Sequence, residues 1–194
     1  LMDGPDKKHI ILTGIKHSGK TSVGKLLAER LGRTFIDLDR VLERLYDSQG
    51  RFTCREIYRK HGREFFRSLE TDAAKHITEN RVHNPPPVLA AGGGLIENTE
   101  ALGPLKEVGI FIYLKEQPDV LFKRISRRGI PPFLDEDNPR ESFYRLYDKR
   151  SKLLETNADI IFTAKGRPIQ ACAETLERII ADINLGKDRK HGRK

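Results

Sequence analysis

The sequence predicts an α/β domain with a parallel sheet covered by helices on both faces, and three observations lead there. Five short apolar runs, at residues 9–12, 34–36, 88–91, 109–114 and 158–162, have strand length and are separated by segments of helical spacing. Strands that alternate with helices in this way pair in parallel and are buried on both faces. The first run leads directly into Gly14-Ile15-Lys16-His17-Ser18-Gly19-Lys20-Thr21, which fits the pattern G-x-x-x-x-G-K-[ST]. The length of 194 residues suits one domain with a full core.

The glycine loop carries the most specific chemistry. Successive backbone N–H groups of such a loop wrap phosphates, Lys20 reaches the β and γ oxygens, and the Thr21 hydroxyl is placed to ligate Mg²⁺. Upstream, His9-Ile10-Ile11-Leu12 reads as a buried strand. Downstream, Val23, Leu26, Leu27 and Leu31 recur at helical spacing. Strand, loop and helix in this order aim a helix N-terminus at an anion, and Ser22 falls within its first turn.

The second strand, at 34–36, runs into Asp37-Leu38-Asp39. Two carboxylates at i and i+2 on an extended strand end share one side, and strand ends in such sheets line the ligand crevice. One of them also suits a helix N-cap, because residues 41–46 read as a helix. After a turn at 47–50, a short helix at 55–58 is expected to break at Gly62. A longer helix then runs over 63–79 with Phe65, Phe66, Leu69, Ala73 and Ile77 on its apolar side. Pro85-Pro86-Pro87 stiffens the approach to the third strand, which ends in Gly92-Gly93-Gly94. Three residues without side chains let a ligand lie against backbone N–H groups.

A short helix at 98–106 precedes the fourth strand, and a helix at 118–128 with a basic end follows it. Residues 129–139 are rich in Pro, Gly and acids and lack periodicity, as lids do. A helix over 140–155 carries Arg145, Lys149 and Arg150. After the fifth strand, Pro168 opens a last helix, expected to run to about residue 185.

Composition narrows the function classes. Charged residues are 33% and hydrophobic ones 37% of the chain, as in a soluble globular protein. The net charge is +8, but residues 187–194 hold five Lys/Arg and one Asp, so a disordered basic tail accounts for half of the excess. The remaining charge suits a nucleotide and an anionic substrate, and no nucleic-acid partner is expected. The two cysteines, Cys54 and Cys172, form no C-x-x-C and point to a reducing compartment. No apolar run spans a bilayer and no signal peptide is evident, so the expected setting is cytoplasmic, with no membrane partner. The six histidines show no metal-ligand spacing.

The ordered set of motifs resembles the shikimate kinases, small phosphate-loop enzymes of the nucleoside-monophosphate-kinase type. The likeness covers about residues 9–183. It rests on the phosphate loop, on Phe35-Ile36-Asp37-Leu38-Asp39, on Gly62-Arg63-Glu64-Phe65-Phe66-Arg67-Ser68-Leu69-Glu70 and on Ala91-Gly92-Gly93-Gly94. The resemblance implies a sheet order of 2-3-1-4-5 and one kinase domain over 1–186, with a helical substrate region at about 40–80 and a lid at about 128–140. It implies ATP and Mg²⁺ as requirements, a carboxylate-bearing hydroxy acid (shikimate) as acceptor, and a monomer. By the same resemblance Asp37 joins Thr21 in holding Mg²⁺, Asp39 binds substrate hydroxyls and is the candidate general base, and Lys20 is catalytic. Arg67 and Arg150 clamp the acceptor carboxylate, with Gly92, Gly93 and Gly94 beside it. Gly14, His17, Ser18, Gly19, Lys20, Thr21 and Ser22 bind the nucleotide phosphates, and Arg124 and Pro168 match positions that sandwich adenine.

Three positions depart from the family pattern. His17 replaces a usual glycine, Pro131-Pro132-Phe133 replaces an Arg-Pro-Leu lid motif, and Lys152-Leu153-Leu154 replaces a Pro-Leu-Tyr stretch. A lid shift that brings Arg127 or Arg128 to the phosphates is one way to restore the charge. A related kinase acting on another small hydroxy acid, and an inactive nucleotide-binding sensor, are the alternative readings.

Overall fold

The computed structural model describes residues 8–79, 83–127 and 129–184. The expected basic tail at 187–194, the far end of the last helix and Arg128 lie outside the described residues. The elements follow as β1 (His9–Thr13), α1 (Lys20–Arg30), β2 (Phe35–Asp37), α2 (Leu38–Tyr46), α3 (Cys54–Glu79) and β3 (Val88–Ala90). A 3₁₀ turn (Leu95–Glu97), α4 (Thr99–Val108), β4 (Gly109–Lys115), α5 (Pro118–Arg127), α6 (Pro139–Asn157), β5 (Ile160–Thr163) and α7 (Ile169–Asn184) complete them. The five strands pair in parallel in the order β2-β3-β1-β4-β5, which is the predicted sheet.

Strand alternation sorts the core into two layers. Ile10 and Leu12 of β1, with Ile112 and Leu114 of β4, pack toward Val23, Leu27, Ala173, Leu176 and Ile180 of α1 and α7. Ile11, Phe111 and Tyr113 face the opposite side, against Leu42, Ala73, Leu105, Phe143 and Leu154. Period-two alternation in a strand buried on both faces allows nothing but apolar residues in succession. Gly24 is part of this packing, since a β-carbon there would stand 2.6 Å from the Phe35 ring.

Two local predictions are resolved by backbone geometry. Gly62 interrupts α3 at φ 80, ψ −174, a conformation that a side-chain-bearing residue reaches only under strain, so the expected break is present. The second carboxylate of Asp37-Leu38-Asp39 is placed differently from expectation. Asp37 ends β2 as the N-cap of α2, accepting from the Asp39 N–H at 3.2 Å, and Asp39 lies in the first helical turn. The extended geometry expected for both residues therefore holds only for Asp37. Capping wins because the α2 N-terminus has orphan N–H groups that the Asp37 side chain satisfies.

Candidate active site

The phosphate loop joins the end of β1 to α1 and wraps around its own lysine. Lys20 donates to the carbonyls of Gly14 at 2.8 Å and Ile15 at 3.1 Å. Gly14 stands at φ 151, and a β-carbon there would lie 2.8 Å from the Leu114 carbonyl, so the loop hugs the end of β4. His17 stands at φ 65, the left-handed region that costs a non-glycine residue roughly 1–2 kcal/mol. That conformation is a physical reason for a glycine at this position elsewhere. The His17 carbonyl accepts from Arg124 at 3.0 Å, which ties α5 to the loop. Ser18 is buried, and its hydroxyl has no hydrogen-bond partner among the described residues.

Below the loop lies a cavity of about 710 Å³. Lys16, His17, Gly19, Lys20, Thr21 and Ser22 enter its wall from the donor side, and Asp37 and Asp39 from the ends of β2 and α2. The Thr21 hydroxyl donates to the Asp37 carboxylate at 3.1 Å. Asp39 is open to the cavity yet enclosed by its walls. Burial, and then the Asp37 charge, push its carboxyl above the ordinary range, with Lys20 and Lys16 opposing. Burial lowers the Lys20 ammonium to about 8, although Asp39 and Asp37 pull it up. Each of the pair thus depends on the other for its charge.

The three glycines after β3 lie against different parts of the site. A β-carbon at Gly92 would stand 2.8 Å from the Asp39 carboxylate, one at Gly93 would stand 3.1 Å from the Gly14 carbonyl, and one at Gly94 would stand 3.5 Å from Arg150 Nη2. The glycine run is the seam where the phosphate loop, the carboxylate and the cationic side of the cavity converge.

That cationic side is built on α3 and α6. Arg67 and Arg150 both line the cavity. Arg150 Nε and Nη2 donate to one oxygen of Glu97, at 2.9 and 2.7 Å, while Arg67 Nη2 donates to the Glu97 backbone carbonyl at 3.2 Å. Lys149 reaches the other Glu97 oxygen at 2.7 Å. Burial opposes ionisation of Glu97, but Lys149 and Arg150 hold its carboxyl below the usual range. Glu70, one turn after Arg67, is buried and accepts from Asn98 at 3.2 Å. Burial raises its carboxyl to about 7, against the Asn98 hydrogen bond.

This carboxyl carries a stability prediction. The folded protein holds the Glu70 proton more tightly than the unfolded chain does. Its contribution is therefore fullest below pH 4.5 and is lost as pH rises to about 7. A shift of that size corresponds to a loss on the order of 3 kcal/mol. Glu70→Gln abolishes the loss, so urea unfolding shows the variant gaining on wild type as pH rises through this window. A gap that stays constant with pH contradicts the assignment.

The lid residues pack down onto this side. Pro131 and Leu134 are buried, Phe133 lies over the Arg150 guanidinium at 5.7 Å, and Arg55 at the start of α3 donates to the Ile130 carbonyl. Arg127 is exposed on α5 and is not part of the cavity wall, so the lid shift considered for it is not seen here. Pro168 likewise lies outside the wall and is exposed. The Lys165-Gly166 turn, at φ 48 and 70, precedes it, and its carbonyl accepts the Cys172 N–H at 3.1 Å as α7 begins. Of the two residues expected beside adenine, only Arg124 is therefore brought to the cavity. Gly14 and Ser18 support the loop from behind rather than line it.

Sequence reasoning missed Arg55, Glu97 and Lys16. Glu97 had one available signal, a lone acid following the glycine run and two apolar residues. Cys54 also borders the cavity, with its Sγ 3.5 Å from the Asp39 carbonyl. Burial pushes its thiol well up, so it stays protonated and is a poor nucleophile.

A parallel sheet, a phosphate loop and a facing carboxylate within one cavity define a phosphate-loop kinase, a phosphotransferase that uses ATP. The family model described as shikimate kinase matches residues 16–181. The shikimate kinase of Thermodesulfovibrio yellowstonii is 33% identical over 180 residues, covering 93% of this chain and 99% of the relative. That of Psychrobacter arcticus is 38% identical over 152 residues, 78% of this chain and 77% of the relative. The solved shikimate kinase from Acinetobacter baumannii in complex with shikimate superposes with a TM-score of 0.77 at 31% identity, covering 96% of this chain and 97% of that one. The chain belongs to the shikimate kinase family.

Proposed function

We propose that this protein transfers the γ-phosphoryl group of ATP to the 3-hydroxyl of shikimate, giving shikimate 3-phosphate and ADP. The observation that carries the reading is the convergence of Lys20, Asp39, Arg67 and Arg150 on one cavity. Family membership and the likeness to a shikimate kinase in complex with shikimate support the choice of acceptor.

The residues divide the work by charge. The loop N–H groups and Lys20 receive the β and γ phosphates, and Lys20 exchanges its two carbonyl partners for phosphate oxygens. Asp39, with its raised proton affinity, accepts the acceptor's hydroxyl proton as the hydroxyl oxygen attacks phosphorus. Arg67 and Arg150 fix the acceptor by its carboxylate, a planar anion suited to a guanidinium fork. The reaction needs positioning and charge neutralisation more than covalent chemistry. The packed lid excludes water that would otherwise take the phosphoryl group.

Thr21 and Asp37 are the residues that would hold Mg²⁺. Their two oxygens, 3.1 Å apart at the mouth of the loop, fit a hard cation that keeps several waters and phosphate oxygens as its other ligands. When bound, the ion neutralises phosphate charge. Among the described residues no cluster of three or more His, Cys, Asp or Glu side chains is placed to hold a metal ion. We further propose that the protein acts as a cytoplasmic monomer. No described helix is long and apolar enough to cross a membrane.

Arg67→Ala or Arg150→Ala is expected to raise the KM for shikimate by roughly ten- to a hundredfold, the value of a charged hydrogen bond at about 1.5–3 kcal/mol. The KM for ATP changes little. ADP release measured across a panel of small hydroxy acids tests the acceptor. Shikimate is expected to dominate, and faster turnover of another hydroxy acid replaces it as the substrate.

A further inference from the structure

We propose that Glu97 is a specificity-determining residue of the acceptor clamp: its carboxylate competes for Arg150 with the carboxylate of the acceptor and weakens binding of a dianion more than that of a monoanion. This rests on the reading of Arg67 and Arg150 as the acceptor-carboxylate site.

The geometry shows a resident carboxylate where an incoming one must bind. One oxygen of Glu97 takes both hydrogens of the Arg150 side edge, at 2.9 and 2.7 Å. The side chains of Arg150 and Glu97 are only 14% and 12% exposed, so the pair is far less screened than a surface ion pair. Phe133 covers the guanidinium at 5.7 Å. An acceptor carboxylate must either displace Glu97 from this edge or share the guanidinium with it. Displacement gives up the Glu97–Arg150 ion pair, and sharing sets two like charges across one cation.

Lys149 sets how large that cost is. Its ammonium lies 2.7 Å from the second Glu97 oxygen and is 62% exposed, so it offsets the carboxylate from the solvent side. Arg67, in contrast, donates to the Glu97 backbone carbonyl rather than to its carboxylate. Two arginines and Lys149, less Glu97, leave a net charge of +2, one less than the same seat would hold without Glu97. A dianion on the same seat brings a second negative charge against Glu97, so the residue filters by charge number as well as by shape.

The opposite role, that Glu97 orients Arg150 and so assists binding, predicts changes of the opposite sign. Glu97→Gln removes the charge while keeping an amide oxygen that accepts from Arg150. The expected result is a shikimate KM lowered about three- to tenfold, the scale of one partly screened charge–charge interaction, with kcat within about twofold of wild type. Malonate, a small dicarboxylate, is then expected to become a stronger inhibitor against shikimate, by a larger factor than the fall in KM. Lys149→Met leaves Glu97 less neutralised and is expected to raise KM about two- to fivefold. Because Lys149 is a surface residue, this variant reports even where Glu97→Gln folds poorly. A KM that is unchanged or raised in Glu97→Gln, or unchanged in Lys149→Met, overturns the inference. A wild type that does not turn over shikimate, or an unchanged KM in Arg150→Ala, removes the clamp itself.

Discussion

Asp39→Asn is expected to lower kcat by about 10²–10⁴-fold, the usual worth of a positioned general base, while the KM for ATP stays near the wild-type value. The change is almost isosteric, so the cavity keeps its shape and the loss reports on the carboxylate charge. The proposed mechanism gives that charge two duties. It accepts the hydroxyl proton, and it helps keep Lys20 protonated in a site where burial works against the ammonium. The variant should therefore also shift the alkaline fall in activity to lower pH. Steady-state ADP release checks both effects, the first from kcat at saturating substrates and the second from the pH profile of kcat/KM for ATP. A kcat within a few-fold of wild type leaves Asp39 a binding residue only.

Lys20→Met is expected to lower kcat by about 10²–10³-fold or more, since it removes the one lysine held at the centre of the phosphate loop. In the ligand-free protein this ammonium is balanced near pH 8 by burial on one side and by Asp39 and Asp37 on the other. The kcat/KM profile for ATP reports ionisations of the free enzyme, so it should fall as pH rises through about 8. Lys20→Arg, which stays protonated at those pH values, loses that alkaline limb along with most of its activity. An alkaline limb that survives Lys20→Arg assigns the ionisation to another group.

The sheet was legible because its strands are buried on both faces. Ile10, Ile11, Leu12 and Phe111, Ile112, Tyr113, Leu114 can only be so continuously apolar if helices cover both sides. The phosphate loop was legible because its glycines and Lys20 are imposed by local backbone geometry, and the break at Gly62 by a positive φ. The acceptor side was harder to read. Asp39, Arg67, Gly93 and Arg150 come from four separate segments, and only resemblance to a family joined them before the structure did. Glu97 and Arg55 remained hidden, since their roles depend on groups that are distant in sequence: Glu97 is 53 residues from Arg150, and Arg55 is 75 from Ile130. Helix capping likewise outweighed strand extension at Asp39, because the N–H groups freed at the start of α2 needed an acceptor.

His17 and the lid illustrate departures of two kinds. At φ 65 the histidine occupies a conformation that glycine adopts more easily, and the loop keeps its shape with the Arg124 contact to the same residue's carbonyl. At the lid, Pro131 is buried and contributes no charge, so the positive groups around the cavity come from Lys16, Arg55, Arg63, Arg67, Arg124 and Arg150 in addition to Lys20.

Donor and acceptor halves that meet in one cavity are expected to pass a phosphoryl group directly between them. Phosphorus NMR of a reaction holding the purified protein, ATP, Mg²⁺ and shikimate tests this most directly. The expected result is stoichiometric loss of the γ-phosphate signal and growth of one phosphomonoester signal, coupled to the proton at C3 of shikimate. Growth of inorganic phosphate alone, or of no new signal at all, contradicts it.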